Sequence, residues 1–204
     1  MDANYAAYKR FTIDEAEKWG RENYLNWLPK LQNRNYTPQT PIEKFFRYYT
    51  QGASSFFNNI ARFDDFDTYD FKDSFFNKKM FNDSVYEINH HPIPNDIVVY
   101  RYIPKHLIKY MLEWGKSKHL KRNSILSDKG FFSTTLSKEA VQYRPYTNLK
   151  ERILFTIFVP KGIPAVYVDL ISDMHEQEML FAPRITLKVI NNHIFSKCIE
   201  CIVC

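Results

Sequence analysis

Three short segments of this 204-residue chain carry side chains whose types and spacing suit chemistry on a phosphorylated substrate that develops positive charge. The first is Val98-Val99-Tyr100-Arg101, an arginine within or at the end of an apolar strand. A guanidinium among β-branched neighbours needs a partner, and its planar fork matches a bidentate anion such as a pyrophosphate. A structural salt bridge or an exposed edge position also satisfies it.

The second is Gly130-Phe131-Phe132-Ser133-Thr134-Thr135, a hydroxyl triplet. On a strand, alternation puts Ser133 and Thr135 on one face and Thr134 on the other, so two hydroxyls can organise a site while the third supports the fold. A half-exposed strand rich in a good strand former explains the triplet too.

The third is His175-Glu176-Gln177-Glu178-Met179-Leu180-Phe181. If this run is extended, Glu176 and Glu178 project to one face, where like charges oppose each other unless a cation or a developing positive charge lies beside them. Such a pair suits a reaction through an oxocarbenium ion, one carboxylate stabilising the ribosyl cation and the other orienting a nucleophile. The alternative is a solvated sheet edge.

The elements that must position these segments divide into helices first and strands second, which predicts an α+β fold. Thr12-Ile13-Asp14-Glu15 is a capping box, and Ala16, Trp19, Gly20, Tyr24, Trp27 and Leu28 follow at helical spacing. Thr40-Pro41-Ile42-Glu43 is a second box with proline at the first helical position and Gly52 as a stop. Ser54 or Ser55 caps a third helix through Arg62. After Pro94 come strands at 96–102, 131–136, 153–159, 165–170, 178–181, 185–190 and 193–203, interrupted by one helix over 104–114 that Gly115 ends. The segment 137–149 is expected to be a loop.

Composition bounds the rest. A length of 204 with 45% hydrophobic residues suits a single domain with its own core, a mainly helical part at 1–93 and a β-rich part at 94–204. The net charge of +5 comes from Lys and Arg scattered among Asp and Glu, so no nucleic-acid footprint is indicated. No apolar run reaches the roughly 20 residues of a membrane span, and the N-terminus lacks a secretory signal pattern. Asp65, Asp67 and Asp70 invite comparison with a calcium loop, but the mid-loop glycine and terminal glutamate are missing. The five glycines form no Gly-x-Gly-x-x-Gly, which argues against a Rossmann dehydrogenase. Cys198, Cys201 and Cys204 near His193 raise zinc, but on a strand they alternate faces, and a plain terminal strand with free thiols is the reading.

Taken in order, aromatic-Arg, aromatic-Ser-Thr-Thr and Glu-x-Glu resemble the arginine, Ser-Thr-Ser and Glu-x-Glu signature of the arginine-specific mono-ADP-ribosyltransferase toxins. Ala16-Glu17-Lys18-Trp19-Gly20 with Tyr24 and Trp27 resembles the first helix of the actin-modifying exoenzymes, and the segments 94–101 and 161–167 are similar to theirs. The resemblance runs from Thr12 to Ile190, with Thr135 where serine is usual. It implies N-terminal helices packed on two roughly perpendicular, mainly antiparallel sheets with a central NAD cleft. It also implies NAD as cosubstrate without a metal, and Glu178, Glu176 and Ser133 as the catalytic set. Glu178 then bonds the 2′-hydroxyl of the nicotinamide ribose, Ser133 holds Glu178, and Glu176 faces an acceptor guanidinium. The implied cofactor-binding set is Arg101, Tyr100, Ser133, Thr134, Thr135, Arg144 and Glu178, with Tyr143 or Tyr146 as stacking partner and Tyr49 as a further contact. The expected partners are NAD and an acceptor protein of a target cell, actin first, with a delivery or immunity partner and a monomeric state. Delivery is expected by a non-Sec route with action in the target-cell cytoplasm. An NAD glycohydrolase, or a silent NAD- or protein-binding descendant, are the competing readings.

Overall fold

The computed structural model describes residues 5–63, 78–143, 149–193 and 197–204. The two predicted capping boxes start helices. In α1 (Ile13–Tyr24) the Glu15 amide donates to the Thr12 hydroxyl at 3.3 Å and the Thr12 amide to the Glu15 carboxylate at 2.9 Å. Ala16, Trp19, Gly20 and Tyr24 form its buried face. The helix ends there, so Trp27 reaches the core from beyond it. In α2 (Pro41–Tyr48) Thr40 and Glu43 repeat the arrangement. Gly52 breaks the chain out of that helix with φ +108°, a left-handed value a side chain adopts only under strain. After the break α3 (Ser54–Phe63) begins.

Three elements were not expected, one of them a short helix given below. The helix α4 (Lys78–Asn89) buries Met80, Ser84 and Ile88, one residue per turn. The strand β2 (Ile125–Asp128) is only four residues long. The remaining elements are β1 (Ile97–Pro104), α5 (Lys105–Trp114), β3 (Phe132–Thr135), α6 (Lys138–Tyr143), β4 (Arg152–Val159), β5 (Val166–Tyr167), β6 (Glu178–Phe181), β7 (Ile185–His193) and β8 (Cys198–Val203). Two expectations need correction. The stretch after β3 holds α6 rather than only loop, and the strand predicted at 165–170 becomes a 3-10 turn from Val168, which carries Asp169 off the sheet. The aspartates at 65, 67 and 70 lie outside the described residues.

The strands form one hydrogen-bonded sheet in the order β2-β7-β8-β4-β1-β3-β6-β5, antiparallel except for β4 against β8. The join between its two halves is narrow. β1 pairs with β4 along its whole length, but with β3 only at Tyr100↔Thr135. The two sheets expected from the resemblance are thus linked at one residue pair, and Arg101 and Ser133 stand on either side of that join. Both faces of β1 are covered. Ile97, Val99 and Ile103 enter the main core beneath the helices, whereas Val98 and Tyr100 enter a smaller one with Leu154 and Phe158. Burial on both sides explains why the strand reads as an unbroken apolar run. β8 leaves Cys198 half-buried, Cys201 buried and Cys204 exposed, all as free thiols.

Candidate active site

Where the two halves of the sheet meet α3 and the break before it, two adjoining cavities share Tyr49, Ser54 and Ser133. One, of about 530 Å³, is lined by Glu176 and Glu178 together with the exposed main chain around Gly52. The other, of about 350 Å³, is lined by Arg101, Asn58 and Arg62. Their sizes fall in the range of small-ligand sites, about 300 to 1,000 Å³. A larger cavity of about 640 Å³ lies at the end of α3, and among the described residues no carboxylate lines it.

The register of β3 and β6 sets the hydroxyls against the acid. Thr135 is opposite Glu178, and Ser133 is opposite Leu180. Cross-strand partners share a face, and alternation adds Ser133 to it, so Ser133, Thr135 and Glu178 point the same way. Thr134 faces the other way, buried, and its hydroxyl donates to the Met179 carbonyl at 3.2 Å. It braces the sheet on the face away from Ser133, Thr135 and Glu178.

Glu176 does not reach the cavity as the spacing predicted. The segment before β6 is not extended: His175 has φ 48° and Gln177 φ 54°, both left-handed. Strand alternation therefore does not bring the two carboxylates together. A tightly held turn does. The Asp169 carboxylate accepts from the amides of Glu176 at 2.7 Å and Gln177 at 2.9 Å. The Thr135 hydroxyl donates to the Glu176 carbonyl at 2.6 Å, and the Leu136 amide to the Gln177 carbonyl at 3.0 Å. The Tyr167 hydroxyl donates to the Gln177 side-chain oxygen at 2.5 Å. Burial raises the Asp169 carboxyl above the usual aspartate range, and the amides of Glu176, Gln177 and Glu178 pull it back down.

Arg101 is half-buried, its guanidinium carbon 4.4 Å from the centroid of Phe132, a cation–π contact that holds the fork at the mouth of the smaller cavity. Tyr100, its neighbour on the strand, points to the opposite face. It packs against Phe158 and Val98, and its hydroxyl accepts from Arg10 at 3.1 Å. Tyr100 thus packs the smaller core with Val98, two residues before it on the same strand. Arg144 and Tyr146 lie outside the described residues, as does the side chain of Tyr143.

Several lining residues were not foreseen. Ser54, Asn58 and Arg62 recur every fourth residue on α3, a polar stripe beside the core-facing Phe57 and Ile60. That period was visible in the sequence. Asn58 Oδ1 and the Tyr49 hydroxyl are buried beside each other with no other hydrogen-bond partner among the described residues, so a ligand in the cavity can engage either. Burial, and next the charge of Glu178, hold the Tyr49 phenol well above its ordinary range, so it stays neutral and able to donate. Gly130 permits the close approach of α3 to β3, since a Cβ there would lie 2.8 Å from Asn58 Oδ1.

The two cavities thus set Arg101 on one side and Glu176 and Glu178 on the other, with Tyr49, Ser54 and Ser133 shared between them. The sequence profile of the ADP-ribosyltransferase exoenzyme family matches residues 16–199. The chain belongs to that family, and its cosubstrate is accordingly NAD. The fold is shared with Plx2a, an ADP-ribosyltransferase toxin from Paenibacillus larvae, at 20% identity over 96% of this chain and 98% of that one, TM-score 0.62. It is shared with C3stau2 from S. aureus, whose structure contains NAD, at 20% identity over 97% and 98%, TM-score 0.66. The enzymatic component C2-I of the C2-toxin from Clostridium botulinum is similar at 16% identity and TM-score 0.68, over 97% of this chain and 50% of that one. No curated protein sequence matches significantly.

Proposed function

We propose that this chain is a single catalytic domain that transfers ADP-ribose from NAD to an arginine of a target-cell protein, with actin as the first acceptor to test. The observation that carries the reading is that Glu176 and Glu178 line one cavity while Arg101 lines the adjoining one, with Ser133 on both. In this reading Arg101 grips the pyrophosphate as a bidentate donor, and Tyr49 and Asn58 complete the cosubstrate's hydrogen bonds. Glu178, steadied by Ser133, accepts from the 2′-hydroxyl of the nicotinamide ribose. Its charge favours loss of nicotinamide, which departs with the electron pair of the glycosidic bond. Glu176 receives the proton that the acceptor guanidinium releases as its nitrogen bonds the anomeric carbon. A carboxylate at that position suits a cationic acceptor, which supports arginine over a neutral side chain.

The test is incubation with labelled NAD, with and without eukaryotic lysate, following nicotinamide release and label on protein. Glu178→Ala is expected to lose both signals, and Glu176→Gln to keep nicotinamide release and lose labelling of arginine. Release with no labelled acceptor favours the glycohydrolase; no release from the unmodified protein favours a silent descendant and overturns the proposal.

A further inference from the structure

The buried Asp169 is absent from the chemistry just described, yet it holds the backbone amides of Glu176 and of its neighbour Gln177. His175 and Gln177 take left-handed φ values with Glu176 between them, and a backbone alternating in this way turns successive amides to one side, a concave nest suited to an anion. The anion is supplied internally: Asp169 Oδ1 accepts from Glu176 and Gln177. Left-handed non-glycine residues are strained by roughly 1 to 3 kcal/mol each and persist only where their surroundings over-determine them. Here the surroundings are Asp169 beneath the turn, Thr135 on the Glu176 carbonyl and Tyr167 on the Gln177 side chain. Tyr167 in turn needs Gly20 of α1, where a Cβ would sit 2.1 Å from its ring. The first helix, the turn after β5 and the hydroxyl strand thus converge on the same two residues.

We infer that Asp169 is a positioning residue for the reaction: its carboxylate folds the Glu176–Gln177 turn into the one shape that brings Glu176 beside Glu178. The inference rests on the functional reading above for its catalytic half, while its structural half stands on the geometry alone. Asp169→Ala removes the acceptor from the nest and frees the turn to extend. Nothing on the Arg101 side of the cleft changes, so NAD is still bound. Asp169→Asn keeps an oxygen in place of Oδ1 and retains the turn.

The experiment combines steady-state transfer of ADP-ribose from NAD to a soluble arginine derivative with backbone hydrogen exchange on the full chain. In Asp169→Ala kcat is expected to fall on the order of 100-fold, as misplacement of a reacting group by an ångström does, with KM for NAD unchanged. The amides of Glu176 and Gln177 are expected to exchange at least ~10-fold faster while that of Leu180 stays protected. Asp169→Asn is expected to recover most of kcat. Unchanged exchange at Glu176 and Gln177, a loss expressed in KM alone, or an asparagine variant no better than alanine each overturns the proposal. An unmodified protein that transfers no ADP-ribose to arginine sinks the functional reading, and the exchange measurement then still decides whether Asp169 holds the turn.

Discussion

The hydroxyl of Thr135 donates to the carbonyl of Glu176 at 2.6 Å, so the last member of the hydroxyl triplet acts on the main chain of the first acid rather than on a substrate. Thr135 is itself opposite Glu178 in the β3–β6 register. One residue thereby ties both carboxylates to the same strand. Its methyl group is buried with it, which accounts for threonine serving at this position.

The first prediction follows from that bond. Thr135→Val preserves shape and removes the donor, leaving the Glu176 carbonyl without it. A net loss of about 1 kcal/mol in holding the turn translates to a five- to tenfold fall in kcat, with KM for NAD unchanged. Thr135→Ser is expected to retain kcat. Steady-state transfer to a soluble arginine derivative separates the two, and equal losses in both variants would show that packing, not the hydroxyl, matters.

Arg101 supplies the opposite case, in which affinity is expected to change. Lysine keeps the charge but loses the planar fork and the stacking over Phe132. Loss of a bidentate charge-assisted contact weakens binding by about 1.5 to 3 kcal/mol. Arg101→Lys should therefore raise the NAD dissociation constant by roughly 10- to 150-fold. Isothermal titration measures it, and an unaltered constant would remove Arg101 from the cosubstrate site.

Arg101, Ser133, Glu176 and Glu178 could be picked out because each motif combines a chemical type with a local pattern. The way Glu176 is delivered could not, because spacing arguments assume extended backbone and Gln177 is left-handed. Asp169 was hidden for a related reason: the strand expected there gives way to a turn. Tyr100 packs the smaller core instead of the cleft, because nothing in its local pattern shows that β1 is covered on both faces. The helix α4 escaped notice because a single apolar or small residue per turn, Met80, Ser84, Ile88, makes a narrow stripe. β2 is too short for any periodicity to register.

The wall of the cleft between α3 and β3 depends on one ion pair. Arg62 Nε and Nη2 donate to the two Asp128 carboxylate oxygens at 2.9 and 2.8 Å, and the Gly130 amide donates to Oδ1 at 2.9 Å. Asp128 is 0% exposed. Truncating Arg62 leaves a buried carboxylate with one amide for company, a situation that costs about 3 to 5 kcal/mol. Arg62→Ala is expected to lower stability to chemical denaturation by that amount. A loss under about 1 kcal/mol would mean that water reaches Asp128 and the pair is a surface contact.

The pH dependence of stability offers a test at Glu43, on the second helix that frames the cleft. Burial alone would raise its carboxyl, but the amides of Thr40 and Gln39, each at 2.9 Å, and the Tyr36 hydroxyl lower it below its ordinary value of 4.5. A carboxyl whose folded value lies below its unfolded value binds fewer protons in the native state within that window. Its stabilisation is therefore complete above pH 4.5 and disappears as the pH falls through the lowered value. Glu43→Ala, which lacks the group at every pH, should be less stable than the unmodified protein by about 1 to 2 kcal/mol at pH 7. The gap should close as the pH is taken from 5.5 towards roughly 3.5, below the ordinary glutamate range. Denaturant unfolding of both proteins across that interval reads it directly. Glu15, lowered by its own bonds to Thr12 on the exposed start of α1, is expected to behave with the same sign. A gap at Glu43 that widens in acid would contradict the direction of the shift and place the stabilisation in the neutral side chain's packing instead.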